Sequence, residues 1–318
     1  MTQIGYTLSS EEHSPTDLVD HASRAEEAGF DFVSISDHFH PWVPQQGHSP
    51  FVWSTLGAIA NATDEIEVGV GVTCPTVRIH PVNVAHAVGT VAELFDGRFT
   101  FGVGTGENLN EHVTGERWPE HDVRLEMLEE SMDVMRELWT GENTSHHGKH
   151  YTVENAKLFT VPDDSIPTVV SAFGPKTAKM AAEYGDGLWC SGPQEEVVEE
   201  FEDAGGEGPK YCQLHACYQE TEEEAIDTVY ELWPNGAIGG ELAQELPSPK
   251  HFEQAAEMVE REDIAEGSTI TEPDPQRYVE SIEEAVDAGY DHVYVHQIGP
   301  DQDLFIEFFE EEVMPKLE

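Results

Sequence analysis

Apolar residues recur along this chain in two alternating rhythms. Short apolar runs, many with period-two alternation, predict strands over residues 3–8, 31–36, 66–73, 98–104, 168–172, 187–191, 211–218 and 292–297. Between them, Ala, Leu and Val at helical spacing predict helices over 15–28, 82–94, 122–139, 175–184, 221–232 and 274–288. Gly29, Gly185 and Gly289 follow three of these helices, where a left-handed cap favours a residue without Cβ. Strands that alternate with helices from end to end predict a parallel α/β architecture, and eight of them close more naturally into a (β/α)₈ TIM barrel than into an open doubly wound sheet. One barrel domain over 1–318 is expected. Asn235-Gly236, Gly239-Gly240 and Pro247-Ser248-Pro249 break the rhythm, so 233–270 reads as an insertion in the loop after the seventh strand, over the barrel mouth.

Charge changes this picture most. Against 64 Asp and Glu stand 15 Lys and Arg, a formal net charge of −49. Such a surface repels itself at low ionic strength, and molar salt, with a Debye length of ~3 Å, removes most of that cost. The acidic residues are dispersed over helix faces such as Glu195-Glu196 and Glu222-Glu223-Glu224, which fits the solvated surface of a halophile's protein. Nucleic acid and anionic membranes are excluded as partners on the same ground. No long apolar span or secretory leader is visible, so a cytoplasmic location in high salt is expected. Cys74, Cys190, Cys212 and Cys217 lack metal-site or CxxC spacing and read as buried, reduced thiols. No metal is expected.

In a barrel, chemistry sits at the carboxyl ends of the strands. The second strand ends in Ser36-Asp37-His38-Phe39-His40-Pro41-Trp42, where an imidazole beside a carboxylate can take a proton from a substrate hydroxyl. The fourth ends in Gly102-Val103-Gly104-Thr105-Gly106-Glu107-Asn108-Leu109-Asn110-Glu111, glycines that let backbone approach a flat ligand and a second titratable group, Glu107. Its spacing is not that of a dinucleotide fingerprint. The third strand carries alternate glycines in Gly69-Val70-Gly71-Val72-Thr73-Cys74, which suggest a bulge or a flat ring lying against it. The fifth runs into Ser171-Ala172-Phe173-Gly174-Pro175-Lys176-Thr177, where a helix N-terminus with Lys176 and Lys179 close by suits a phosphate.

Taken together, residues 36–42, 102–111 and 172–175 resemble the coenzyme F420-dependent glucose-6-phosphate dehydrogenase group of the luciferase-like superfamily, over nearly the whole chain. The resemblance implies a homodimeric barrel with the deazaflavin F420 in its mouth. It implies coenzyme contacts from Asp37, Gly71, Val72, Cys74, Thr105, Gly106, Asn110, Phe173, Gly174 and Lys176, with a cis peptide at Gly71–Val72. His38 would assist at the substrate hydroxyl, Glu107 would be the partner acid or base, and Trp42 and Glu11 would line the substrate pocket together with Ser191 and Gln254. Departures from the pattern are informative. The two lysines and one arginine that grip a sugar phosphate in that group are replaced by Ser191-Gly192-Pro193, Phe252-Glu253-Gln254 and Ile264-Ala265-Glu266-Gly267. Losing three charge-assisted contacts at ~1.5–3 kcal/mol each argues for an unphosphorylated sugar or secondary alcohol. Only Lys250 or Arg261 could restore a phosphate grip, and Cys74 stands where the group has threonine.

The sequence therefore predicts hydride transfer between a hydroxylated small molecule and F420. Four other readings stand beside it: an F420-dependent glucose-6-phosphate dehydrogenase, an FMN-dependent monooxygenase of the same superfamily, a metal-dependent barrel hydrolase using His38-x-His40 with His296, and a barrel that binds coenzyme without catalysis.

Overall fold

The computed structural model describes residues 2–317. Its strands are β1 (Gln3–Leu8), β2 (Phe32–Ile35), β3 (Glu67–Thr73), β4 (Phe99–Val103), β5 (Thr144–His147), β6 (Thr152–Ala156), β7 (Thr168–Ser171), β8 (Gly187–Ser191), β9 (Lys210–Ala216) and β10 (His292–Gln297). All but β5 and β6 are parallel and close a barrel in the order β1-β10-β9-β8-β7-β4-β3-β2, with β2 returning to β1. This is a (β/α)₈ TIM barrel, as the alternation predicted. The eight predicted strands are these, shifted at their ends by at most two residues. The antiparallel hairpin of β5 and β6 was not foreseen.

All six predicted helices are present, displaced by no more than one residue at either end. Their local chemistry explains their bounds. Ser14 and Asp17 form a capping box before Pro15–Ala28, and Gly29 closes that helix with φ 87°. Gly185 departs from expectation. Its φ is −100°, and glycine is required there because a Cβ would stand 2.7 Å from the Ala181 carbonyl oxygen. Helices Val52–Ala62, Glu195–Asp203 and Gln302–Phe308 complete the outer layer unpredicted, although the acidic face of the second was read from its sequence. Among the described residues no helix is long and apolar enough to cross a membrane.

Inside the barrel, period two directs alternate side chains to the axis. Phe32, Val169, Trp189, Tyr211 and Tyr294 form an aromatic plug, in which Trp189 stacks on Tyr211 at 4.4 Å between centroids. The alternate glycines of β3 serve this plug. A Cβ on Gly71 would stand 2.6 Å from the Trp189 ring, so the flat ring accommodated on this face is the protein's own indole. The pairing of β3 with β4 also shifts register between Val70 and Thr73, and the Gly71–Val72 peptide is cis. Above the plug, smaller polar residues leave the carboxyl end open.

Residues 233–270 fold into short helical pieces, Pro234–Ala237, Leu242–Glu245, Pro249–Ala256 and Arg261–Ala265. They follow helix Glu222–Leu232 rather than β9 directly, and Trp233, Asn235, Ile238 and Gln244 reach the barrel mouth.

The plug makes a paired expectation. Gly71→Ala drives a methyl group into Trp189 and Ser34 and should cost about 1–3 kcal/mol in guanidinium unfolding. Gly57→Ala, within helix Val52–Ala62 with nothing inside 4 Å of the new Cβ, should stabilise by about 0.4–1 kcal/mol. Equal responses at the two sites would refute the packing account.

Candidate active site

The carboxyl ends of the strands open on two adjoining cavities of about 410 Å³ and about 630 Å³. Val72, Glu107, Ser171, Phe173, Gly240 and Gln244 border both, so they form one cleft with an inner chamber and an outer bay.

The inner chamber is organised by a buried ion pair. Strand β2 delivers His38 to the mouth, and the turn after β1 delivers Glu11, whose Oε1 lies 3.0 Å from His38 Nδ1. Ser36 and Ser9 donate to the other carboxylate oxygen at 2.8 and 3.2 Å. Burial would raise the Glu11 pKa, but the His38 charge and these hydrogen bonds outweigh it and hold it at about 2. Burial would likewise lower His38, but the charge of Glu11 and its hydrogen bond prevail, followed by the charges of Glu107 and Asp37, and lift it to about 9. At neutral pH the pair is an imidazolium and a carboxylate. With Nδ1 committed to Glu11, Nε2 is the atom left to meet a ligand.

The loop carrying His38 is pinned from outside the chamber. Asn110 Oδ1 accepts from the amides of Phe39 and His40 at 2.9 and 3.1 Å, and Ser49 Oγ donates to the His38 carbonyl at 2.7 Å. Trp42 meets His38 edge-on at 5.0 Å, rests on Phe252 at 5.2 Å and lines the chamber. Glu107 borders both cavities.

Three expected coenzyme contacts lie behind the wall rather than on it, because neither cavity is lined by Asp37, Asn110 or Cys74. Asp37 is buried against Arg78, with Nη2 to Oδ1 at 3.0 Å, and accepts from Thr73 Oγ1 at 2.8 Å. Glu111 takes the Arg78 backbone N–H at 2.7 Å; burial raises its pKa to about 7 in spite of the neighbouring guanidinium. Asn110 is used by the His38 loop. Cys74 packs beneath Gly106, where a Cβ would stand 2.6 Å from its sulfur, and lies 3.0 Å from Thr76 Oγ1. All four cysteines are free and buried.

The outer bay gathers the remaining expected contacts. Val72, Thr105, Gly106, Phe173, Gly174 and Lys176 line it, and Gly71 borders the inner chamber. Helix Pro175–Tyr184 begins here without a side-chain cap, which leaves its first N–H groups free toward the bay. Lys176 is exposed and paired with Asp122 at 2.7 Å, whereas Lys179 pairs with Glu200 and lies off the bay.

Of the expected substrate contacts, Glu11, Trp42 and Ser191 line the inner chamber and Gln254 does not. Phe252 takes the buried face of helix Pro249–Ala256, and Gln254, about 200° further round, points to solvent. Neither Lys250 nor Arg261 reaches either cavity; Arg261 pairs with Asp227 at 2.6 Å. Among the described residues no Lys or Arg lines the inner chamber.

His38 and His40 do not converge on a metal. His40 Nδ1 turns away to the Leu109 carbonyl at 2.9 Å, and among the described residues no group of three or more His, Cys, Asp or Glu is placed to hold one. The site also contains residues that the sequence reading missed: Arg78 and Glu111 behind the mouth, and Glu12 and His215 beside His296 at the far wall. Period-two alternation along β9 and β10, which turns Gln213 and His215, and Tyr294 and His296, to the same interior, was the available signal for the last two imidazoles.

Comparison with known proteins accords with this geometry. The chain is 34% identical over 331 residues to the F420-dependent glucose-6-phosphate dehydrogenase of Amycolatopsis mediterranei (strain U-32), covering 100% of this chain and 99% of that one. It is 36% identical over 330 residues to the enzyme of that name from Mycobacterium avium (strain 104), covering 99% and 98%. Among solved structures, an F420-dependent secondary alcohol dehydrogenase in complex with an F420-acetone adduct superposes with a TM-score of 0.90 at 31% identity, covering 100% of this chain and 99% of that one. The family described as luciferase-like monooxygenase matches residues 1–292, and the chain belongs to that family.

Proposed function

We propose that this chain is a coenzyme F420-dependent dehydrogenase that oxidises a CH–OH group of an unphosphorylated sugar or secondary alcohol, or reduces the corresponding carbonyl. The observation that carries this reading is the His38–Glu11 ion pair facing Glu107 across a chamber without lysine or arginine. Relatives at 34–36% identity are named F420-dependent dehydrogenases, and a neighbour of TM-score 0.90 is named for secondary alcohols. Glucose 6-phosphate, the substrate in the relatives' names, would bring a dianion to a chamber lined by Glu11 and Glu107.

The cleft suits the coenzyme. Its outer bay offers glycine backbone at Gly104 and Gly106, an exposed Phe173 and an uncapped helix N-terminus. Val72, Thr105, Gly106, Phe173, Gly174 and Lys176 would hold the group, and the deazaflavin would supply the hydride-accepting carbon. The protein's own part is positioning and proton handling. Glu11 fixes the His38 ring so that Nε2 faces the substrate oxygen. As the imidazolium it donates a proton to the oxygen of a carbonyl being reduced. As the neutral ring it accepts the hydroxyl proton of an alcohol being oxidised. Glu107 is placed to balance the second proton, and Trp42 keeps water from the face of the ring. We further propose a homodimer, on the family resemblance, and a salt-rich halophile cytoplasm, on the strength of the −49 charge.

Four expectations test this. With F420 in molar KCl, free sugars or secondary alcohols should bleach the long-wavelength absorbance of the coenzyme, and phosphorylated sugars should do so less well; binding of FMN instead of F420 would sink the assignment. His38→Ala should lower turnover by about 10²–10⁴-fold while coenzyme affinity stays within a few-fold. Because the His38 pKa is raised to about 9, alcohol oxidation, which needs the neutral ring, should rise with pH until about 9. Carbonyl reduction, which needs the imidazolium, should fall above it. A flat profile for both directions would remove His38 from the proton step. Finally, the unfolding temperature should climb steeply from about 0.1 M to about 1 M KCl as the Debye length shrinks from ~10 to ~3 Å, and an unmoved midpoint would defeat the halophile reading.

A further inference from the structure

On the wall that faces His38, two more imidazoles line the same chamber, with a buried carboxylate behind them. Glu12 is their anchor, with Oε1 accepting from the Gly299 amide at 2.9 Å and Oε2 lying 2.8 Å from His296 Nε2. His296 turns its other nitrogen to His215, Nδ1 to Nδ1 at 3.1 Å, while Trp233 covers the pair with its ring 4.5 Å from that of His296. Both imidazoles line the chamber, His215 from β9 and His296 from β10.

The hydrogen placement follows from the donor count. The carboxylate of Glu12 requires a hydrogen on His296 Nε2. One hydrogen then lies between the two Nδ1 atoms. When His296 is neutral, His215 supplies that hydrogen and its own Nε2 is a bare acceptor. When His296 is protonated, it supplies the hydrogen and His215 Nε2 becomes a donor. His215 stays neutral in both states, since burial first and the His296 charge second lower its pKa to about 3. A phosphate or carboxylate, which only accepts, matches one state, and an ammonium matches the other; a hydroxyl matches both. The position of His215 adds a length requirement. In the barrel order β9 stands three places from β2, so His215 and His38 face each other from nearly opposite sides.

We infer that His215, held by the Glu12–His296 pair, binds a substrate hydroxyl other than the one His38 serves, so that the preferred substrate is polyhydroxylated rather than a simple secondary alcohol. This rests on the dehydrogenase reading above for the role of His38, but not for the binding itself.

The test is saturation-transfer NMR of the whole protein in molar KCl, with and without F420, against propan-2-ol and a panel of tetritols, pentitols, hexitols and free aldoses. Wild type should favour at least one polyol over propan-2-ol. His215→Phe, which keeps a ring and removes the polar nitrogens, should cut that preference about tenfold or more. His215→Gln, whose amide both donates and accepts, should restore part of it and guards against a misfolded Phe variant. The same ratio should shift in KM more than in kcat when F420 reduction is followed. No polyol preference in wild type, or equal losses for polyol and propan-2-ol in a folded variant, overturns the assignment. Polyol binding that depends on His215 without any F420 reduction supports this inference and rejects the dehydrogenase reading instead.

Discussion

Two consecutive carboxylates, Glu11 and Glu12, hold the barrel mouth in its working shape. They follow β1, whose neighbours in the barrel are β2 on one side and β10 on the other. Glu11 turns to His38 beyond β2, and Glu12 turns to His296 at the end of β10. Side-chain exposure of each carboxylate is 4%, a placement that costs several kcal/mol per ion unless charge and hydrogen bonds compensate. In a chain with 64 acidic residues and 15 Lys and Arg, such compensation is scarce. Histidine supplies it in the inner chamber, and Arg78 supplies it for Asp37 and Glu111 just behind. Arg78 spends its charge on Asp37 and Glu111 behind the wall, and among the described residues no Lys or Arg lines the inner chamber, although Arg124 and Lys176 line the outer bay.

Much of the barrel was legible because its signals are local. Period-two runs and helical spacing located strands and helices to within a residue or two, and Ser14 with Gly29 marked a helix at both ends. What escaped detection depends on packing. Helix Val52–Ala62 starts at Phe51 without a side-chain cap and ends at Thr63 rather than glycine, so only its packing, through Val52, Trp53, Thr55, Leu56 and Ile59, fixes its place. Gly185 has the position of a cap but is required by the approach of the Ala181 carbonyl, a contact that no periodicity encodes.

The site divides in the same way. His38, Trp42 and Glu107 stand in compact motifs at strand ends, where residue type and place coincide, and all three reach the chamber. Asp37 and Asn110 belong to the same motifs yet point behind them: Asp37 turns to Arg78, and Asn110, on the short helix Asn108–Glu111, turns to the amides of Phe39 and His40. Arg78 is 41 positions from Asp37, and Glu12 is 284 from His296, so these pairings appear only once the ring of strands has closed.

Closure also gives three imidazoles of one chemical type different electrostatic characters. His38 touches a carboxylate directly and is driven to about 9, whereas His215 touches only another imidazole and is driven to about 3. Titratable groups whose environments push their pKa values apart divide the work of a site. His38 is therefore the ring that carries charge at neutral pH, while His215 stays neutral there. Both rings are buried, which lowers both; the charge and hydrogen bond of Glu11 overcome that at His38, whereas at His215 the charge of His296 adds to it. The consequence is a chamber flanked by two electrostatically unlike imidazoles, His38 beyond β2 and His215 on β9, with Glu11 paired to the first directly and Glu12 reaching the second only through His296.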